Sequence, residues 1–300
     1  IAMVGMQWSG LVVDKPGTLV GLGDLTAPPV LLSLFGLAVM AVLLTLNIRA
    51  AILIGILASL AVGLITGMIH YQGIIGPVPS VAPTLFKLDI AGAISTGMLS
   101  IIFIFFFLDM FDTVGTLVGV SQQAGFIRED GSLPRARQAL LSDAIGTVVG
   151  TLLGTSTVTS YIESSSGISA GARTGFASLI TGVLFLLALF LEPLLKMVGG
   201  GIEYGEGMRL YPVIAPALIV VGAYMMQNVR HIPWTDFSEA IPAFLTMILM
   251  PLTFSITEGI AFGFIAYTAL KTVQGKLREV PLLISVFAVL FVLRYIFLMG

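Results

Sequence analysis

Asp109 and Asp112 stand inside an apolar stretch, Phe107-Leu108-Asp109-Met110-Phe111-Asp112-Thr113-Val114-Gly115-Thr116, long enough with its flanks to lie within a bilayer. A charged side chain at the centre of a membrane helix costs about 2.5–3.5 kcal/mol on insertion scales, so two acids there need a task. A spacing of three puts both carboxylates on one helix face, and Thr113 and Thr116 extend that face with hydroxyls. The run 103–107 stacks apolar bulk one turn earlier and would take the acids out of water. Such a face can accept hydrogen bonds from a polar ligand or exchange a proton. The plainer alternative is hydrogen bonding between helices.

A second acid with chemical potential is Glu163. It follows Gly154-Thr155-Ser156-Thr157-Val158-Thr159-Ser160-Tyr161, a stretch of types that favour extended backbone, and opens the polar segment 162–173. The pattern predicts a short strand followed by a half-helix between two apolar spans. Irregular backbone at membrane depth is tolerated where it lines protein or a water-filled cavity. Ser164, Ser165 and Ser166 add hydroxyls that can donate and accept, and Gly167 allows close approach of backbone. Asp143, after Ser142 near the start of the helix expected over 138–153, reads either as a first-turn acid favoured by the helix dipole or as a partner supporting the acid site. Gly146, Gly150 and Gly154 recur every four residues on that helix, a stripe for close packing rather than for ligand contact.

Other motifs carry less. Glu258 in Ser255-Ile256-Thr257-Glu258-Gly259 fits a capping box at a helix start, and Glu192 before Pro193 reads as interfacial. Gly21-Leu22-Gly23-Asp24 matches the GxGD pattern of intramembrane aspartyl proteases, but lies between Pro16 and Pro28 in turn-forming context. No phosphate-binding loop or nucleophile elbow is present, which argues against a pump or membrane hydrolase. Two isolated histidines, His70 and His231, do not make a metal site, and the absence of cysteine excludes thiolate and iron–sulfur chemistry.

The elements that must position these residues follow from composition. The 300 residues are 57% hydrophobic and 10% charged, with a mean hydropathy of +1.06. Soluble domains carry about 25% charged residues, so this is an all-α polytopic membrane protein. A net charge of −2 argues against a nucleic-acid partner. Apolar segments are expected over 1–13 (a partial helix), 29–46, 50–68, 91–120, 138–153, 175–198, 211–228, 241–254, 259–271 and 281–298, with a proline-bearing irregular stretch before 89 and a charged loop over 121–137. Starting within an apolar run, the sequence reads as a C-terminal fragment. If the 121–137 loop is cytoplasmic, nine Lys and Arg fall on that side (Arg49, Arg128, Arg135, Arg137, Arg173, Arg230, Lys271, Lys276, Arg278) against four opposite (Lys15, Lys87, Lys196, Arg209). A faint echo between 50–56 and 259–265 is compatible with the repeated helix blocks of secondary transporters.

The blocks Phe111-Asp112-Thr113-Val114-Gly115-Thr116-Leu117-Val118-Gly119 and Thr155-Ser156-Thr157-Val158-Thr159-Ser160-Tyr161-Ile162-Glu163-Ser164-Ser165-Ser166-Gly167-Ile168 resemble the nucleobase–cation symporters, nucleobase–ascorbate transporter-like proteins, in their hypoxanthine, adenine and guanine permease branch. Leu19–Leu25 and Glu239–Thr246 resemble that branch too. The resemblance implies an inverted-repeat fold of fourteen segments, in which a core moves against a gate in an elevator-like cycle. It implies that this chain begins near the fifth segment, with gate helices over 1–90, core helices over 91–198 and gate helices with a C-terminal helix over 199–300. It implies a proton-coupled purine importer of a bacterial cell membrane, a homodimer, with no cofactor besides the coupling H+, or Na+ in its place. It places substrate binding on Asp109, Glu163, Ser164 and Thr113, and proton coupling among Asp109, Asp112, Asp143 and Glu163. The alternatives are a transporter of the same fold for xanthine, uracil or an anion, and, more remotely, an intramembrane enzyme.

Overall fold

Continuous apolar sequence without internal charge becomes helix, because a backbone outside water must satisfy its own hydrogen bonds. The computed structural model describes residues 1–94, 98–205 and 207–297, with the side chains of residues 99, 100, 103 and 104 outside the description. The apolar bulk expected over 103–107 is therefore described from 105 onward, and part of the segment expected over 91–120 also lies outside the described residues. In chain order the elements are α1 (Ala2–Trp8), β1 (Val12–Lys15), β2 (Leu19–Leu22), α2 (Pro28–Thr45), α3 (Ala51–Ile65), α4 (Ile90–Ala93), α5 (Leu99–Ala124), α6 (Ala136–Leu153), α7 (Ser164–Ser169), α8 (Gly175–Ala188), α9 (Glu192–Gly199), β3 (Ile202–Tyr204), β4 (Met208–Leu210), α10 (Ala215–Met226), α11 (Phe237–Thr253), α12 (Ile256–Val273) and α13 (Leu282–Phe297). The segments 28–45 and 175–199 are long and apolar enough to cross a bilayer, and shorter apolar helices accompany them. The helical, polytopic reading holds.

The chain divides into two units, one of residues 1–87 with 116–226 and one of 88–115 with 227–300. In the first, α2 starts on Pro28 and Pro29, whose fixed φ suits a first turn, and folds back on α3 through Asn47, held at φ 57°. Trp8 at the end of α1 stacks on Tyr211, ring centroids 4.6 Å apart, while the Tyr211 N–H donates to the Trp8 carbonyl at 2.8 Å. The expected helix over 1–13 ends at Trp8, because Val12–Leu22 turns back as an antiparallel hairpin with Val12 opposite Leu22. A second hairpin sets Ile202 opposite Leu210.

In the second unit Asp236 caps α11, accepting from the Ser238 N–H at 2.9 Å and hydroxyl at 2.8 Å. Ser255 caps α12, accepting from the Glu258 N–H at 3.2 Å. The core is aromatic. Phe107 of α5 is fully buried against Phe287 and Phe291 of α13, at centroid distances of 5.1 and 4.7 Å with edge-to-face geometry. Ion pairs close both ends of the antiparallel α11–α12–α13 packing: Lys271 with Glu239 at 2.7 Å, and Arg294 with Glu258 at 2.9 Å.

Two expectations change here. The strand foreseen over 155–161 forms no ladder among the described residues; side chains of α6 bind Val158 and Ser160 there instead. The capping box at Ser255 is half made. Ser255 caps the helix, but the Glu258 carboxylate turns to Arg294 and also accepts from the Tyr295 hydroxyl, since α13 brings both within reach.

Candidate functional site

One face of α6 holds the stretch that leads to Glu163. Asp143, Gly146, Thr147 and Gly150 follow the 3–4 spacing that aligns side chains along a helix. The Thr147 hydroxyl donates to the Val158 carbonyl at 2.7 Å and accepts from the Val158 N–H at 3.2 Å. A hydroxyl can do both at once, so Thr147 takes the two bonds that a neighbouring strand would make. The Ser160 hydroxyl donates to the Asp143 carboxylate at 3.1 Å. Between these contacts the glycines leave a gap: a Cβ at Gly150 would lie 2.8 Å from both Val158 and Thr155 side-chain atoms, and one at Gly146 3.5 Å from Val158. Gly146 and Gly150 are a packing seat for the segment leading to Glu163, whereas Gly154 faces Thr84.

Glu163 occupies the cap position of α7, its side chain making no capping bond, and both it and Ser164 are exposed. The half-helix expected over 162–173 is confined to Ser164–Ser169, and Arg173 folds back to donate to the Ile168 and Ala172 carbonyls at 2.6 and 2.7 Å. The serines are spent partly on backbone: Ser165 donates to the Ile162 carbonyl, Ser166 to the Glu163 carbonyl at 2.8 Å and Ser169 to the Ser165 carbonyl at 2.9 Å. Gln123, at the end of α5, donates through Nε2 to the Ser169 hydroxyl at 2.8 Å and to the Ser165 carbonyl at 3.4 Å. At the other end of α6, Thr84 donates to the Leu153 carbonyl at 2.9 Å and the Phe86 N–H to the Leu152 carbonyl at 2.9 Å, satisfying carbonyls that a helix end leaves open.

Asp109, Asp112 and Thr113 lie on the part of α5 that belongs to the second unit. Thr113 and Thr116 are buried and Asp109 is half-buried, consistent with the i, i+4, i+7 face, whereas Asp112 is exposed. The two acids therefore differ in surroundings although their spacing is helical. The structure brings Asp143 to Ser160, three residues before Glu163, and keeps Glu163 and Ser164 consecutive on α7.

Thr147 and Gln123 escaped the sequence reading, yet Thr147 stands four residues after Asp143, a spacing that places them on one face. Gln123 carried no signal beyond its polarity at the end of an apolar helix. Asp24 of the GxGD motif lies in the loop before α2. It accepts from the Thr26 hydroxyl at 2.6 Å and N–H at 2.9 Å, which hold its carboxyl below the usual carboxylate range. Among the described residues no three His, Cys, Asp or Glu gather to hold a metal ion.

Apolar helices, acids within them, and a polar segment seated on a glycine-lined helix are the parts a membrane transporter of a polar solute needs. The sequence profile of the xanthine/uracil permease family, described as a permease family, matches residues 1–262, and the chain belongs to that family. It is 42% identical over 298 residues to the adenine permease AdeP of Escherichia coli and 47% over 302 to the guanine/hypoxanthine permease PbuG of Bacillus subtilis, covering 99% of this chain in each case. A Methanocaldococcus jannaschii protein, named as a permease without a substrate, is 48% identical over 301 residues. The chain spans 64–66% of the length of these relatives. Their names are those of transporters, not enzymes.

Proposed function

We propose that this chain is the larger part of a proton-coupled purine nucleobase importer of the cell membrane, working as a homodimer by elevator-like alternating access. The observation that carries the substrate site is the seating of the Glu163 segment on α6, which presents an uncapped carboxylate and the Ser164 hydroxyl from a segment fixed by side chains. A purine offers ring N–H donors and ring-nitrogen or carbonyl acceptors. Glu163 and Asp109 accept from the donors, while Ser164 and Thr113 answer the acceptors. Asp109, Asp112, Asp143 and Glu163 are the groups through which substrate occupancy and protonation couple, H+ being the coupling ion. The names of the adenine and guanine/hypoxanthine permeases among the relatives support a purine as cargo.

The test is Glu163→Gln in the protein expressed from its full gene, in cells lacking their own purine permeases. Uptake of radiolabelled hypoxanthine should fall at least a hundredfold while the amount in the membrane stays unchanged. Wild-type uptake by the variant would remove Glu163 from the site.

A further inference from the structure

Glu163 can meet a ligand reproducibly only if the backbone around it holds still. Among the described residues the stretch 155–161 joins no helix and no ladder. It is tied instead at three points: Val158 through both backbone groups to Thr147, Ser160 to Asp143, and, beyond Glu163, Ser165 and Ser169 to Gln123. The ties come from two different helices and bracket Glu163 on both sides. Ser165 is itself buried, so the Gln123 end is anchored in protein.

Resting on the reading of Glu163 as a purine-binding acid, we propose that Thr147 and Gln123 are positioning residues that set purine affinity and selectivity by clamping the Glu163 segment from either side. Neither touches substrate. Thr147 holds both backbone groups of Val158, a role that requires one oxygen to donate and accept together. Valine has the same shape and can do neither, whereas serine keeps both. Gln123 bridges Ser165 and Ser169, one turn apart on α7, and a residue of similar length without the amide makes neither bond.

Two measurements on the full-length protein test this. The first is amide hydrogen exchange over 155–163 in detergent. Thr147→Val should speed exchange there by about tenfold, in line with losing two ordinary hydrogen bonds, with Thr147→Ser close to wild type. Unchanged exchange in Thr147→Val would overturn the clamp whatever the cargo is. The second is hypoxanthine and adenine uptake in permease-deficient cells. Thr147→Val and Gln123→Met should each raise KM about tenfold and alter the hypoxanthine-to-adenine KM ratio, with Vmax per membrane-inserted protein within about twofold and Thr147→Ser restoring both. Wild-type KM values in Gln123→Met and Thr147→Val, or a Thr147→Ser variant as impaired as Thr147→Val, would overturn the proposal. A wild-type protein that transports no purine would instead overturn the substrate reading, leaving the exchange result to judge the clamp. If Thr147→Val does not reach the membrane, Gln123→Met decides.

Discussion

The Glu258–Arg294–Tyr295 cluster should contribute measurably to stability. The Glu258 and Arg294 side chains are 19% and 21% exposed and pair at 2.9 Å, joining the first turn of α12 to the last turn of α13. Removing one partner of a buried pair in a soluble interior costs about 3–5 kcal/mol, because the survivor stays charged and dry. Two features reduce that here. A fifth of each side chain is open, and polar groups of a membrane chain find other partners when it unfolds within lipid, where interhelical hydrogen bonds average only about 0.6 kcal/mol. Tyr295 would also remain on the carboxylate in Arg294→Met. The expected loss is about 2 kcal/mol for Arg294→Met and slightly more for Glu258→Gln, which leaves the guanidinium alone. At about 2 °C per kcal/mol for a protein of this size, each single variant should unfold about 4–5 °C below wild type in detergent. Because the surviving charge is the main cost, Glu258→Gln combined with Arg294→Met should recover about half of the summed loss. Two single variants within 1 °C of wild type, or a strictly additive double variant, would show that the surviving charge carries no such cost.

Three further outcomes are expected. Gly150→Ala places a methyl 2.8 Å from Val158 and Thr155 side-chain atoms and should raise the KM for purine severalfold while leaving membrane insertion intact, measured by uptake against membrane content. Asp236→Ala removes the α11 cap. The Ser238 hydroxyl, then the Ser238 N–H, hold the Asp236 carboxyl below its ordinary value of 3.8, so its contribution is complete above that value and fades as pH falls through the lowered one. The gap in thermal midpoint between wild type and Asp236→Ala should therefore be constant from pH 7 to about pH 5 and close on further acidification; a gap that widens in acid would contradict the assignment. Asp109→Asn should weaken uptake more than Asp112→Asn, because Asp109 is half-buried beside buried Thr113 while Asp112 is exposed.

What could be read in advance was what acts locally. Apolar runs gave the helices, the Pro16–Pro28 context gave the Asp24 turn, and the acids stood out by their cost in lipid. What escaped depends on partners distant along the chain or on backbone geometry. The hairpin over 12–22 hid because Val12 and Val13 continue an apolar run, and only the turn at Gly17, at φ 93°, reverses it. The residues over 155–161 have strand-like composition, but among the described residues they join no ladder, and a threonine eleven residues away from Val158 binds both of its backbone groups. Glu258 has capping-box spacing, yet its carboxylate answers an arginine brought in by α13. Around Glu163 the same division holds: the acid was legible, and the hydrogen bonds from Thr147, Asp143 and Gln123 to the residues flanking it were not.

The most direct test of the account is radiolabelled hypoxanthine uptake by the full-length protein in permease-deficient cells at pH 6 and pH 8. Uptake that is faster at pH 6, collapses with a protonophore and is competed by adenine or guanine is the predicted result. No uptake of any purine, from protein shown to be in the membrane, would contradict it.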